Sequence, residues 1–232
     1  MKKSTYFLTL SAMSLALMAG QSHATGMIPE TSVVIVEAAD GEGAINVKNS
    51  DSFPVLLMTT LENIPDDNES LLLVTPPAAR VEADKSQRVR FILTSKTPLK
   101  TERLKRVIFE GVPPKEKGKN EVRMTVRQNL PVLIRPAGLA KNDAPWKELK
   151  WSNQGGKLVV TNPSPYVVRM SSAVKTLPDN ADWNMQNNYV LPGQTITLEN
   201  SKGKALSASK QVRISPATTW GFTVNSYDAA VN

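Results

Sequence analysis

The chain has 232 residues, with 28 Lys and Arg against 21 Asp and Glu for a formal charge of +7, one histidine and no cysteine. No disulfide holds the fold, and thiolate nucleophiles, redox pairs and thiolate metal sites are excluded. The positive excess is moderate and scattered rather than gathered into a dense basic face, which argues against nucleic-acid binding.

The chain opens with Lys2 and Lys3, continues through an apolar stretch from Tyr6 to Ala19 and reaches small residues at Ser22-His23-Ala24. That order is the grammar of a secretory signal peptide, expected to be cut between Ala24 and Thr25. A membrane anchor needs about 20 consecutive apolar residues. This run is shorter and is interrupted by Thr9, Ser11 and Ser14, so no membrane span is expected after cleavage. Loss of residues 1–24 takes away the only histidine, His23, and lowers the formal charge to +5. Imidazole metal sites and Ser-His-Asp triads then fall away, no cofactor is expected, and only a carboxylate-only hydrolase stays open among enzymes. No carboxylate pair stands out by spacing.

After residue 25 nearly every apolar segment is short, β-branched and bounded by turn residues, the pattern of an all-β sandwich. The first set of predicted strands is Ser32–Val36, Ala44–Lys48, Pro54–Leu61, Leu71–Thr75, Ala79–Glu82, Arg88–Leu93, Lys105–Gly111 and Glu121–Ile134. The second is Glu148–Ser152, Lys157–Asn162, Tyr166–Val174, Asn188–Leu191, Thr195–Leu198, Gln211–Ile214 and Gly221–Asn225. The stretch from Arg135-Pro136-Ala137-Gly138 to Asp143-Ala144-Pro145 reads as a linker between them. The expected organisation is a signal peptide over 1–24 and two tandem immunoglobulin-like β-sandwich domains over 25–136 and 137–232. No close internal repeat is visible.

One predicted strand stands apart. Val122, Met124 and Val126 alternate with the polar Glu121, Arg123, Thr125 and Arg127. A period of two places the three apolar residues on one face of an extended chain. Pattern alone leaves two readings: the three face their own domain's core, or an edge strand offers them to another protein by strand addition.

Five stretches, in this order and spacing, resemble the periplasmic pilus chaperones. They are Thr75-Pro76-Pro77 with Ala79-Arg80-Val81-Glu82; Arg88-Val89-Arg90-Phe91; Thr101-Glu102-Arg103 leading to Gly111-Val112-Pro113-Pro114; Leu133-Ile134-Arg135-Pro136; and Asn162-Pro163-Ser164-Pro165-Tyr166. Val190-Leu191-Pro192-Gly193 also fits the family's second domain. The resemblance runs over essentially the whole mature chain. It implies a non-enzymatic periplasmic protein that binds pilus (fimbrial) subunits by donor-strand complementation and delivers them to an outer-membrane usher.

Counting back from Arg135-Pro136, the resemblance places the inserting residues of the family at Val122, Met124 and Val126, the positions picked out by alternation. It also implies two basic residues in the cleft that hold the subunit's C-terminal carboxylate, and here the sequence departs. The corresponding positions are Ser32 and Pro131, neither of which carries charge. Arg127, four residues from Pro131 on the same pleat face, is the nearest substitute along the strand. Glu102 and Arg135 match the family's interdomain ion pair, whose third, acidic member is missing near Ser215-Pro216. The short cysteine-free loop Pro113–Asn120 resembles the branch of the family that serves rod-like pili.

The main alternative is a secreted two-domain adhesin or carbohydrate-binding module. Such a module would gather aromatics for stacking on sugar. Trp146, Trp151, Trp183 and Trp220 are instead dispersed through the second half, as core or loop anchors would be.

Overall fold

The computed structural model describes residues 26–114, 125–206 and 209–232. Its short β-branched segments form strands because alternate side chains can enter a core, while Gly, Asn, Asp and Pro turn the chain between them. The first domain contains β1 (Met27–Pro29), β2 (Val34–Glu37), β3 (Glu42–Asn49), β4 (Val55–Glu62), β5 (Leu72–Thr75), β6 (Ala78–Val81), β7 (Ser86–Leu93), β8 (Arg103–Val112) and β9 (Arg127–Arg135). Hydrogen bonding runs in the order β5-β7-β3-β2-β9-β8-β4-β6, with β1 on β3.

Strand β2 joins the two faces of this sandwich, antiparallel to β3 at Glu37 and Glu42 and parallel to β9. A Cβ on Gly43 would lie 2.3 Å from the Ile35 carbonyl oxygen, so this close approach of β2 and β3 requires glycine. Between the faces, Val107 and Phe109 of β8 and Leu130, Val132 and Ile134 of β9 pack against Val36, Val47, Val89 and Phe91.

The second domain begins after a 3₁₀ turn, Pro145–Glu148, that buries Pro145 and Trp146. It contains β10 (Lys150–Gln154), β11 (Lys157–Thr161), β12 (Val168–Arg169), β13 (Ala173–Leu177), β14 (Asp182–Asn184), β15 (Tyr189–Val190), β16 (Thr195–Thr197), β17 (Glu199–Asn200), β18 (Gln211–Ile214) and β19 (Tyr227–Ala230). Its core is built on Trp151 and Trp183 with Leu158, Val190, Val212 and Ile214.

Three expected strands differ. In the expected strand Glu121–Ile134, Thr125 and Val126 precede the strand, which begins at Arg127. The stretch Tyr166–Val174 divides, because β12 pairs with β15 while β13 pairs with β14 and β18, so the chain changes sheet between them. The stretch Gly221–Asn225 is no strand but the far side of a hairpin closed by the Ala217 and Thr223 bridge and by the Thr218 N–H donating to the Phe222 carbonyl at 2.8 Å. Gly221 has φ +87°, which suits a turn and not a strand.

The two domains share a corner although their sequences show no close repeat. Buried Asn49 donates from Nδ2 to the carbonyls of Phe53 at 2.9 Å and Val81 at 3.1 Å, and its Oδ1 accepts from the Asp51 N–H at 3.0 Å. Buried Asn162 repeats the arrangement with the carbonyls of Tyr166 at 2.8 Å and Val190 at 3.1 Å and the N–H of Ser164 at 3.1 Å. In each case an amide at a strand end satisfies backbone groups that the sheet leaves over.

Candidate functional site: the open edge of β9 and the interdomain cleft

Strand β9 is paired unequally. Along β8 it is bonded from Arg127 to Ile134, but along β2 only from Val132 to Arg135. Before Val132 its second side has no strand partner among the described residues. Unpaired N–H and C=O groups of this kind are what an added strand pairs with. Pro131 supplies no N–H, and a proline in such a strand belongs at an edge.

The pleat of β9 separates two sets of side chains. Leu130, Val132 and Ile134 point into the first-domain core. Val126 has the same parity but is 51% exposed, since it lies beyond the end of the sandwich. Val122 and Met124, the other two residues of the alternation, lie outside the described residues. Arg127, Asn129 and Pro131 occupy the opposite face. Arg127 is exposed and pairs with Glu110, Nε to Oε2, at 3.3 Å. It stands about 13 Å along the strand from Pro131, four residues at the strand rise.

Below the open edge lies a cleft of about 630 Å³ lined by Ile28, Ser32, Gln128, Leu130, Trp220 and Phe222. Its far wall comes from the second domain. The hairpin Ala217–Thr223 reaches the first domain, where the Ser32 hydroxyl donates to the Trp220 carbonyl at 3.3 Å. A Cβ on Gly221 would lie 2.3 Å from Ser32 Oγ, so only glycine permits the contact. Trp220 and Phe222 are left 50% and 71% exposed, whereas Trp146, Trp151 and Trp183 are buried. Three of the four tryptophans are therefore core anchors, and no aromatic platform of several residues forms among the described residues.

The domains are joined by a separate apolar cluster of Val33, Ile64, Leu104 and Leu133 from the first and Val167 and Tyr189 from the second. Polar groups flank it. Arg135 Nε lies 3.4 Å from Glu102 Oε1, and both are buried. The other Glu102 oxygen accepts the Val167 N–H at 2.9 Å, and the Glu102 N–H donates to the Pro165 carbonyl at 2.9 Å. The second acid on Arg135 is Glu37, 2.6 Å from Nη1, on β2 and not in the second domain. Burial raises the Glu102 carboxyl above its ordinary value despite the Val167 N–H and Arg135. On the other side Asp66 accepts hydrogen bonds from the Tyr189 hydroxyl at 2.7 Å and the Gln194 amide at 3.2 Å.

Arg169 donates from Nη2 to the Thr218 carbonyl at 2.9 Å and the Thr219 carbonyl at 3.0 Å at the base of the Trp220 hairpin, and Arg106 donates from Nη2 to the Asn129 carbonyl of β9 at 2.8 Å. Asp66, Arg106, Arg169 and the Trp220 hairpin carry no spacing that marks them in the sequence. Arg106 becomes visible only through register, as the residue opposite Pro131 on β8.

Two tandem immunoglobulin-like sandwiches with an unpaired strand edge beside the interdomain cleft are the architecture of a pilus-assembly chaperone. The family model described as "Pili and flagellar-assembly chaperone, PapD N-terminal domain" matches residues 26–140, and that described as "Pili assembly chaperone PapD, C-terminal domain" matches residues 144–227. The chain belongs to this family, which is not enzymatic. It is 42% identical over 224 residues to the uncharacterized fimbrial chaperone YhcA of Escherichia coli (strain K12), covering 96% of this chain and 95% of that one. Among solved structures it is similar to the YadV chaperone, with TM-score 0.72, 21% identity and coverage of 88% of this chain and 98% of the other. It is also similar to a chain of the Salmonella enterica SafA pilin complex with the SafB chaperone, with TM-score 0.71, 21% identity and coverage of 90% and 98%. No helix among the described residues is long and apolar enough to cross a membrane.

Proposed function

We propose that this chain acts in the periplasm, binds pilus subunits by lending them the open edge of β9 and the residues before it, and passes them to an outer-membrane usher. The observation that carries this reading is the unequal pairing of β9, bonded to β8 from Arg127 to Ile134 but to β2 only from Val132 onward. A subunit strand laid along Arg127–Pro131 would complete the ladder, and Val122, Met124 and Val126 would enter the subunit's own groove. Burial of each such side chain is worth roughly 1.5–3 kcal/mol. Three of them give useful affinity without preventing release.

In this reading the domains span 25–136 and 137–232, residues 1–24 direct export and are removed, and Glu102 with Arg135 fixes the angle between domains. Arg127 is the along-strand candidate for the carboxylate anchor, with Glu110 as its competitor. Co-expression with the pilus subunit encoded beside the chaperone, followed by co-purification from the periplasm, tests the reading. A soluble chaperone that never retains the subunit refutes it.

A further inference from the structure

The turn Pro65-Asp66-Asp67-Asn68 carries two adjacent carboxylates that serve different domains. Asp67 is tied to its own: Arg103 Nη2 lies 2.6 Å and Lys105 Nζ 2.9 Å from its Oδ1, and Lys105 also donates to its carbonyl at 2.7 Å. The turn is closed by the Asp67 N–H donating to the Ile64 carbonyl at 3.0 Å and by the Asn63 amide donating to the Asn68 carbonyl at 2.9 Å. Ile64 is buried in the apolar cluster between the domains. The turn is thereby fixed to β8 through Asp67 and to the interface through Ile64, with the exposed Asp66 between them.

Three donors of the second domain reach Asp66. The Tyr189 hydroxyl at 2.7 Å and the Asn187 amide at 3.3 Å meet Oδ2, and the Gln194 amide meets Oδ1 at 3.2 Å. Their own domain holds them in place. Tyr189 lies in β15, paired with Arg169 of β12, and belongs to the interdomain cluster. Burial and the Asp66 carboxylate raise its hydroxyl above the ordinary tyrosine value, so it stays a donor. Gln194 Oε1 accepts the Leu191 N–H at 2.9 Å, which turns the amide nitrogen toward Asp66.

Apolar contact is not directional, so the cluster alone joins the domains without fixing the angle between them. Hydrogen bonds are directional, and those to an ionised acceptor are roughly twice as strong as neutral ones. Glu102 grips the second domain at Pro165 and Val167, and Asp66 grips it at Asn187, Tyr189 and Gln194. One such grip leaves a pivot, and two remove it. We propose that Asp66 is a positioning residue: with Glu102 it forms a two-point clasp that sets the angle of the second domain, and with it the gap between the open edge of β9 and the hairpin Ala217–Thr223. Its part in subunit binding rests on the strand-addition reading above. Without Asp66 the second domain would pivot on Glu102 and carry the hairpin from its place on Ser32.

The test begins with the free protein, so its first readout does not depend on subunit capture. The chain has no cysteine, so cysteines introduced at the exposed Lys85 and Lys210 take one spin label in each domain. Pulsed electron paramagnetic resonance then reads the distance between domains. The parent should give one narrow distribution and Asp66→Ala one at least twofold broader. Asp66→Asn should fall between, because it keeps an oxygen for Tyr189 and loses the acceptor that faces Gln194. Tyr189→Phe should broaden the distribution in the same direction. Melting of Asp66→Ala should stay within about 3 °C of the parent, since Asp66 is exposed and belongs to no core cluster. Co-purified subunit should fall at least fivefold in Asp66→Ala and recover in part in Asp66→Asn. A distribution as narrow in Asp66→Ala as in the parent overturns the clasp, whatever capture does. A broadened distribution with full capture, under conditions where Val126→Glu loses the subunit, overturns the positioning role. If the distribution broadens while the parent itself retains no subunit, the strand-addition reading fails and the clasp stands.

Discussion

Replacement of Val126 by Glu separates a lent strand from a core strand. Val126 is 51% exposed and packs in no core cluster, so a charge there stays hydrated in the free protein and stability should change by less than about 0.5 kcal/mol. In a complex the remaining half of the side chain would be covered, forfeiting about 1 kcal/mol of apolar burial. An unpaired carboxylate in an apolar groove would cost on the order of 3 kcal/mol more. Together these give about 4 kcal/mol, roughly a thousandfold in affinity. Leu130→Glu is the internal comparison, because Leu130 has the same parity but is 7% exposed and belongs to the first-domain core. It should lower the melting temperature sharply. The assay pairs thermal unfolding of each variant with co-purification of the subunit. A Val126→Glu protein that melts normally and still holds its subunit refutes the strand reading, and one that melts as early as Leu130→Glu supports a core role. Met124→Glu should behave as Val126→Glu does.

Further predictions concern Asp67, the Glu102–Arg135 pair, Arg127 and the start of the mature chain. Asp67 is bonded to Arg103 at 2.6 Å and Lys105 at 2.9 Å, and although burial opposes its charge, their hydrogen bonds hold its carboxyl down at about 2. A depressed acid stabilises the fold above its unfolded value of 3.8 and loses that contribution as pH falls toward 2; unfolding followed between pH 5 and 2 should show the loss in the parent and a smaller one in Asp67→Asn. That variant should also melt about 10 °C or more lower at neutral pH, since it strands the buried Lys105 at a cost of about 3 kcal/mol. Glu102→Gln should change stability by less than about 1 kcal/mol, because Arg135 keeps Glu37; Arg135→Met should cost several times more by leaving Glu102 buried without its cation, as calorimetry would read. Subunit capture should weaken more in Arg127→Ala than in Arg80→Ala, whose guanidinium pairs with Glu82 away from β9; equal pull-down yields would make Arg127 an ordinary surface charge. Intact mass of the periplasmic protein should correspond to a chain beginning at Thr25, and retention of His23 would remove the histidine-free argument.

The legible part of this molecule is the part governed by local rules. Alternation locates the core strands because each buries one face. What escaped depends on contacts between distant residues. Gly221 reads as a strand start beside Phe222 and Val224, yet its φ of +87° and its contact with Ser32 make it a turn held by the other domain. The two-residue strand β12 is too short to show alternation, so Arg169 carried no mark in the sequence. No acid stands near Ser215 in the sequence, and the second acid on Arg135 is Glu37, since the parallel pairing of β2 with β9 sets Glu37 beside Arg135. No periodicity encodes a pairing between strands almost a hundred residues apart.

The open edge of β9 also carries features that disfavour indiscriminate strand pairing. A long flat edge templates unwanted association, and natural sheets blunt theirs with charge, proline or coverage. The open stretch of β9 has all three. Arg127 places a charge at its outer end, Pro131 removes a donor at its inner end, and Arg106 occupies the Asn129 carbonyl between them. A generic strand arriving at this edge would find one N–H missing and one acceptor already taken.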